Sequence, residues 1–294
     1  MKPMARKILF LLMLLPLAIS CDETEIQPAI DNYRLSKILN YASTSAALPY
    51  GFVTYEYDDR GNLIKESMFD YPGTLFTYKI YEYSNSNRLR RKQTFDGIVG
   101  QLTLGGYVDY YYDNGNLTRE EWYRADASLL YVVYNEFEGN NLTATYKKND
   151  ELGVHHLYKY IYNKNRLVSE AAFMYDQVLE NFSRYFYDQQ DRLIKSQHFN
   201  QDSILTSHIK KVYHGSDDLP DEELYLSADG ELTSRILLAY DSWGNPIRCT
   251  VDGKGACIVF TRRYNGKLLL EEIRYDPAFG CAEWSVTRYE YELK

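Results

Sequence analysis

Tyr55-Glu56-Tyr57-Asp58-Asp59-Arg60-Gly61-Asn62-Leu63 is the stretch from which the fold is read. Two tyrosines flank one polar residue, a turn rich in Asp, Gly and Asn follows, and a Leu opens the next run. The phrase returns as Tyr160-Ile161-Tyr162-Asn163-Lys164-Asn165-Arg166-Leu167 and as Tyr185-Phe186-Tyr187-Asp188-Gln189-Gln190-Asp191-Arg192-Leu193. The Leu or Ile after the turn falls at Leu63, Leu89, Leu117, Leu142, Leu167, Leu193, Leu219, Ile247 and Leu268, at spacings of 26, 28, 25, 25, 26, 26, 28 and 21. Nine units of roughly 26 residues make a repeat array, in which each unit buries its surface against its neighbours.

Within a unit one run ends in Tyr-x-Tyr, a turn such as Asp113-Asn114-Gly115-Asn116 follows, and a second run leads to a looser turn. Asn-Gly steps tolerate the positive φ that tight hairpins need, so each unit reads as one hairpin, about 18 antiparallel strands in all. Twisted sheets rarely exceed about ten strands without curling or splitting. The expected fold is therefore all-β: an antiparallel hairpin array forming a curled or spiral sheet. The chain has 30 Tyr in 294 residues. A Tyr ring covers neighbouring backbone while its hydroxyl stays hydrated, which suits a sheet with one wet face.

These residues also carry a family likeness. The phrase resembles the YD repeat of Rhs proteins, whose tyrosine-aspartate units form β-strand shells in large bacterial surface and toxin proteins. The match is close at Tyr55 to Leu63 and at Tyr110-Tyr111-Tyr112-Asp113-Asn114-Gly115-Asn116-Leu117. Tyr240-Asp241-Ser242-Trp243-Gly244-Asn245 keeps Tyr-Asp and Gly-Asn but has Pro246-Ile247 where the Leu falls. Toxin-enclosing shells use many more repeats and carry a cargo domain. The resemblance therefore implies at most a fragment of such a wall, and a small repeat lipoprotein fits better.

The N-terminus reads as a targeting segment. Lys2, Arg6 and Lys7 precede an apolar run from Ile8 to Ile19, the layout of a signal peptide over residues 1–20. Leu17-Ala18-Ile19-Ser20-Cys21 resembles the bacterial lipobox, which implies lipid on Cys21. Asp22-Glu23-Thr24-Glu25 resembles the signal that sends Bacteroidetes-type lipoproteins to the outer face of the outer membrane. Residues 21–50 are then a lipid-anchored tether with a short helix, and 51–294 the repeat domain. The helix is expected over Asp31 to Ala42, where Tyr33, Leu35, Ile38, Leu39 and Ala42 recur at steps of 3 and 4 behind Asp31 as N-cap.

Three Cys remain besides Cys21. Cys249 and Cys257 flank Gly253 symmetrically and would face each other across a hairpin, which admits a disulfide or two free thiols; Cys281 is left over.

Catalytic chemistry finds little footing. His155 and His156 are neighbours and point to opposite faces of a strand, as do the carboxylates of Glu120-Glu121 and Glu271-Glu272. Phosphate loops, nucleophile elbows and CxxC pairs are absent from the sequence, so no catalytic, cofactor or metal residues are expected. A net charge of −8 disfavours a nucleic-acid partner. The basic run Arg88-Leu89-Arg90-Arg91-Lys92 reads as a solvated strand beside acidic neighbours. Trp243, in a turn, is the candidate ligand platform, and Asp202-Ser203-Ile204 resembles a Bacteroidetes O-glycosylation acceptor at Ser203. The expected function is a non-catalytic envelope module that binds a glycan or protein partner and meets the membrane through its lipid. A glycan-processing enzyme with cross-strand carboxylates and an Rhs-type toxin-associated fragment are the alternatives.

Overall fold

The computed structural model describes residues 33–98, 100–149, 153–174, 177–215, 218–242, 244–251, 256–257, 260–276 and 282–294. They form a single all-β sheet of 21 strands. In chain order these are β1 (Tyr33–Tyr41), β2 (Gly51–Tyr57), β3 (Leu63–Asp70), β4 (Leu75–Tyr83), β5 (Leu89–Ile98), β6 (Gln101–Asp113) and β7 (Asn116–Arg124). There follow β8 (Leu129–Glu138), β9 (Asn141–Asn149), β10 (Gly153–Asn163), β11 (Arg166–Met174), β12 (Val178–Tyr187), β13 (Leu193–Asn200) and β14 (Leu205–Val212). The last are β15 (Glu222–Ser227), β16 (Leu232–Tyr240), β17 (Pro246–Val251), β18 (Ala256–Cys257), β19 (Phe260–Asn265), β20 (Leu268–Asp276) and β21 (Ala282–Leu293).

From β1 to β18, and again from β19 to β21, each strand pairs antiparallel with the next. In addition β1 pairs with β21, so the first strand lies between the second and the last. The ladder therefore runs without a break from β18 back through β1 and on through β21 to β19. Its two end strands are separated in the chain by residues 258 and 259 alone. Three peptide steps span about 11 Å, so the sheet has curled through a full turn to bring its edges together. Among the described residues no ladder joins those two edges, and the sheet is open there.

The curl has a local cause that recurs along the chain. In eight hairpins the register shifts immediately before the second aromatic of the repeat phrase, as between Glu56 and Tyr57 or between Phe186 and Tyr187. One extra residue, Ile64 in the first hairpin, sits on the returning strand and sets Tyr57 opposite Leu63. A bulge bends its strand and increases the local twist, so a bulge in the same place in eight hairpins curls the sheet. At the turn itself Gly61 has φ +83° with open space where a Cβ would stand. Glycine is needed there for the backbone angle and not for room.

Where a helix is expected over Asp31 to Ala42, the described residues Tyr33–Tyr41 form a strand, and that strand belongs to the sheet ahead of the boundary at 51. A bulge explains the misleading spacing. Leu35 faces Tyr291 and Lys37 faces Glu290, so Ser36 is the inserted residue. The insertion returns Ile38 to the face of Leu35 after three residues, as a helix would. Tertiary pairing then overrides local periodicity: Leu35 is 2% exposed and Val286 on β21 is 0% exposed, the deepest burial among the described residues. Elsewhere cohesion comes from cross-strand aromatic stacks such as Phe52 on Phe69 at 4.6 Å and Phe182 on Phe199 at 4.5 Å.

Candidate functional site

The repeat phrase spends its side chains on joining one unit to the next. Its second Tyr reaches back to a carbonyl 20 to 22 residues earlier: Tyr187 to Leu167, Tyr213 to Leu193, Tyr240 to Pro220 and Tyr57 to Leu35, at 2.8 to 2.9 Å. Burial pushes the Tyr57 and Tyr213 hydroxyls up to about 12, so they stay protonated and donate. The Asp closes its own turn. Asp58 accepts the amides of Arg60 and Asn62 and the Asn62 side chain, which holds its carboxyl below the usual range. The Asn before the Leu reaches forward: Asn62 donates to Asn87, and Asn141 to Asn165, in the turn of the following unit. Tyr, Asp and Asn are thus used for cohesion.

Walking across the ladder separates the two faces. Glu66, Glu120, Glu170, Glu223 and Glu272 share one of them, on β3, β7, β11, β15 and β20. One glutamate recurs every fourth strand, with a fifth on the last step because the 256–265 run is split into β18 and β19. Each is satisfied in place. Glu223 meets Lys211 at 2.7 Å, Glu272 meets Arg262 and Arg274 at 2.8 and 3.0 Å, and Glu66 lies 3.6 Å from Lys79. Tyr185 donates to Glu170 at 2.6 Å, and Trp122 Nε1 donates to Glu120 at 3.2 Å. Burial pushes the Glu120 carboxyl up, while the Trp122 bond and Lys92 pull it down. A buried carboxylate with its partners in place is a structural element first. Beside Glu170, His198 shares hydrogen bonds with Ser183 at Nδ1 and Ser196 at Nε2. Both hydroxyls are buried, and neither imidazole nitrogen is bonded to a carboxylate there, so the trio lacks a triad's acid.

The opposite face presents aromatic surface. Tyr111, Arg119, Tyr134 and Tyr146 stand directly across from one another on β6, β7, β8 and β9. The Arg119 guanidinium lies 4.0 Å from the Tyr111 ring centre, and Tyr134 stacks on Tyr146 at 5.0 Å. These four line a groove of about 320 Å³ with Thr118, Asn135 and Glu136. Tyr111 is 37% exposed, and its hydroxyl is anchored to Glu121, as is that of Tyr123. With strands about 4.8 Å apart, the row offers an aromatic strip some 15 Å long. A second groove of about 330 Å³ lies against Phe186, Tyr187, Lys164 and Arg166.

Of the residues singled out in the sequence, Cys21, Trp243 and Cys281 lie outside the described residues. So does the signal-peptide segment over residues 1–20. Cys249 and Cys257 are direct partners across the β17–β18 ladder, as the hairpin reading expects. Ser203 is exposed on a turn, with φ +61°. The basic run is engaged by its neighbours: Arg91 grips Asp109 with two bonds of 2.6 and 2.7 Å, Arg90 meets Glu82, and Arg88 and Lys92 lie over the Tyr112 and Trp122 rings. Glu120 and Glu121 do face apart, one into the glutamate row and one towards Tyr111. Among the described residues no three His, Cys, Asp or Glu are grouped to hold a metal. The sequence did not single out the Tyr111 row. Its one signal is that Tyr111 occupies the middle of Tyr110-Tyr111-Tyr112, the position that alternation turns to the other face.

No protein-family model matches this chain, and no curated protein matches it. Solved structures with a similar chain course include the Photorhabdus luminescens Tc holotoxin pore, at 13% identity and TM-score 0.43, covering 77% of this chain and 13% of that one. TcdB2-TccC3 follows at 14% and 0.44, covering 83% and 14%. A porin-like protein from Bacteroides uniformis is similar at 10% and 0.34, covering 88% and 98%. This chain spans about 13–14% of the length of those toxin chains. All three likenesses are too distant to bear on what it does.

Proposed function

We propose that this chain is a non-catalytic, Rhs-like β-repeat lipoprotein of the cell envelope that receives a glycan or protein partner on its sheet. The observation that carries the reading is the row Tyr111–Arg119–Tyr134–Tyr146. Aromatic rings supply large contact area at low entropic cost, and a guanidinium between them adds directed hydrogen-bond donors. The lipid on Cys21, and through it residence at the outer face of the outer membrane, is supported by the basic segment, the apolar run and the Leu17 to Cys21 motif.

A paired-carboxylate hydrolase needs two carboxyls facing one hollow. The Tyr111 groove has Glu136 as its single carboxylate, and the Phe186 groove is lined by none. The toxin-associated alternative draws on the repeated bulge and Tyr-to-carbonyl bond, which suit a curved wall. A cargo gene beside this one would favour it.

The test is retention of neutral and charged polysaccharides and of envelope proteins on the immobilised chain, compared with Tyr134→Ala/Tyr146→Ala. Retention lost in the variant, with no product formed, supports a binding module. Turnover of any retained polysaccharide overturns it.

A further inference from the structure

The same face carries a second, chemically different patch around β12, β13 and β14. Phe186 stands opposite Lys195, and Lys195 opposite Lys210. In the adjacent row Arg184 faces Gln197, and Gln197 faces His208. Two lysines directly across a ladder repel and destabilise the pair unless a counter-charge lies between them. Among the described residues Arg184, Lys195 and Lys210 have no carboxylate partner. Glu222, on the same face of β15, is already held by Arg235 through bonds of 2.9 and 3.0 Å. Three cations without counter-charges are thus gathered on a chain whose net charge is −8.

Two further observations point to a ligand. His208 is 8% exposed, and its Nδ1 is buried without a hydrogen-bond partner. Phe186 is 41% exposed, has the Lys195 ammonium 5.5 Å from its ring centre, and lines the groove that continues past Lys164 and Arg166.

We propose that this patch is a subsite for an acidic sugar, its ring stacked on Phe186 and its carboxylate or sulfate held between Lys195 and Lys210. The inference rests on the binding-module reading and gives it a substrate class, acidic polysaccharide. A flat apolar ring beside paired ammonium groups matches a uronic or sulfated sugar, which joins a sugar face to a fixed anion. A free anion would use the lysines alone.

The whole chain is tested for retardation by polygalacturonate and by its fully methyl-esterified form, with inorganic sulfate as competitor. Polygalacturonate retards it and the ester does not. Lys195→Gln/Lys210→Gln weakens binding by about tenfold or more, and added salt weakens the wild type. Phe186→Ala weakens polygalacturonate but leaves weak sulfate competition intact, which separates a sugar site from an anion site. Lys195→Arg/Lys210→Arg keeps binding, and circular dichroism shows whether each variant is folded. If the Gln pair fails to fold, the Arg pair and Phe186→Ala decide. Equal binding of the ester, or undiminished binding by the folded Gln pair, overturns the acidic subsite. Neutral glycans retained through Tyr134 and Tyr146 would then leave the broader reading standing. Absence of any retention removes both.

Discussion

The Tyr187 hydroxyl donates to the Leu167 carbonyl at 2.8 Å across 20 residues of chain. That bond ties the first strand of one hairpin to the second strand of the one before, and the same bond recurs at Tyr213, at Tyr240 and, over slightly longer spans, at Tyr57 and Tyr291. Tyr187→Phe keeps the ring and leaves the carbonyl short of its partner, so it should cost about 1 kcal/mol. A Tyr57→Phe/Tyr240→Phe double variant should cost about the sum of its singles, because the sites share no partner. Denaturant unfolding measures both. An unchanged midpoint for Tyr187→Phe would mean that water replaces the hydroxyl.

Glu120 gives a pH dependence of definite sign. Burial raises its folded carboxyl above the ordinary value, so the folded state holds the extra proton and stability falls as pH rises past that ordinary value. Glu120→Gln keeps an acceptor for Trp122 Nε1 and removes the charge. Thermal midpoints should be higher than wild type at neutral pH and equal at acid pH, where Glu120 is protonated in both states. A variant less stable at neutral pH would show that the Lys92 attraction outweighs burial.

Cys249 and Cys257 are ladder partners, and opposed Cα atoms about 4.5–5.5 Å apart fall within disulfide range. Material from an oxidising compartment should weigh two hydrogens less than its reduced form, with Cys281 alone alkylated. Reduction should lower stability by about 2–3 kcal/mol, the chain-entropy value for so short a loop. Three alkylated thiols without reduction would exclude the bridge.

Lipid on Cys21 predicts that labelled fatty acid enters the wild-type chain and not Cys21→Ser, which should leave the membrane fraction. Protease added to intact cells should degrade the wild type. Labelling of the Ser variant would move the anchor elsewhere.

Leu63 to Leu268 announce the repeat because each falls just beyond a turn whose chemistry is local, and local chemistry is visible in sequence. Ser36 shows the opposite case. One inserted residue makes a strand spacing look helical, and its meaning is fixed only by Tyr291 and Glu290, at the far end of the chain. Tyr111, Tyr134 and Tyr146 become neighbours through register across three successive ladders, and each bulge resets that register. Lys195 and Lys210 meet the same way. Trp243 drew notice because a turn Trp is conspicuous alone, whereas a Tyr among 30 is conspicuous only beside its cross-strand partner.

The insertion of β1 between β2 and β21 limits how this chain can evolve. Linear solenoids gain or lose a unit at little cost, because an added unit lengthens the stack and disturbs only its neighbours. Here Arg34 must meet Glu292 across 258 residues, so the number of hairpins sets a circumference. Deleting one whole hairpin would shrink that circumference by two strands and force every remaining bulge to bend further. Although the sheet stays open between β18 and β19, the β1–β21 pairing and the short link between those two edges hold the unit number, and duplication or loss of a repeat is opposed by geometry even where the ligand surface is untouched.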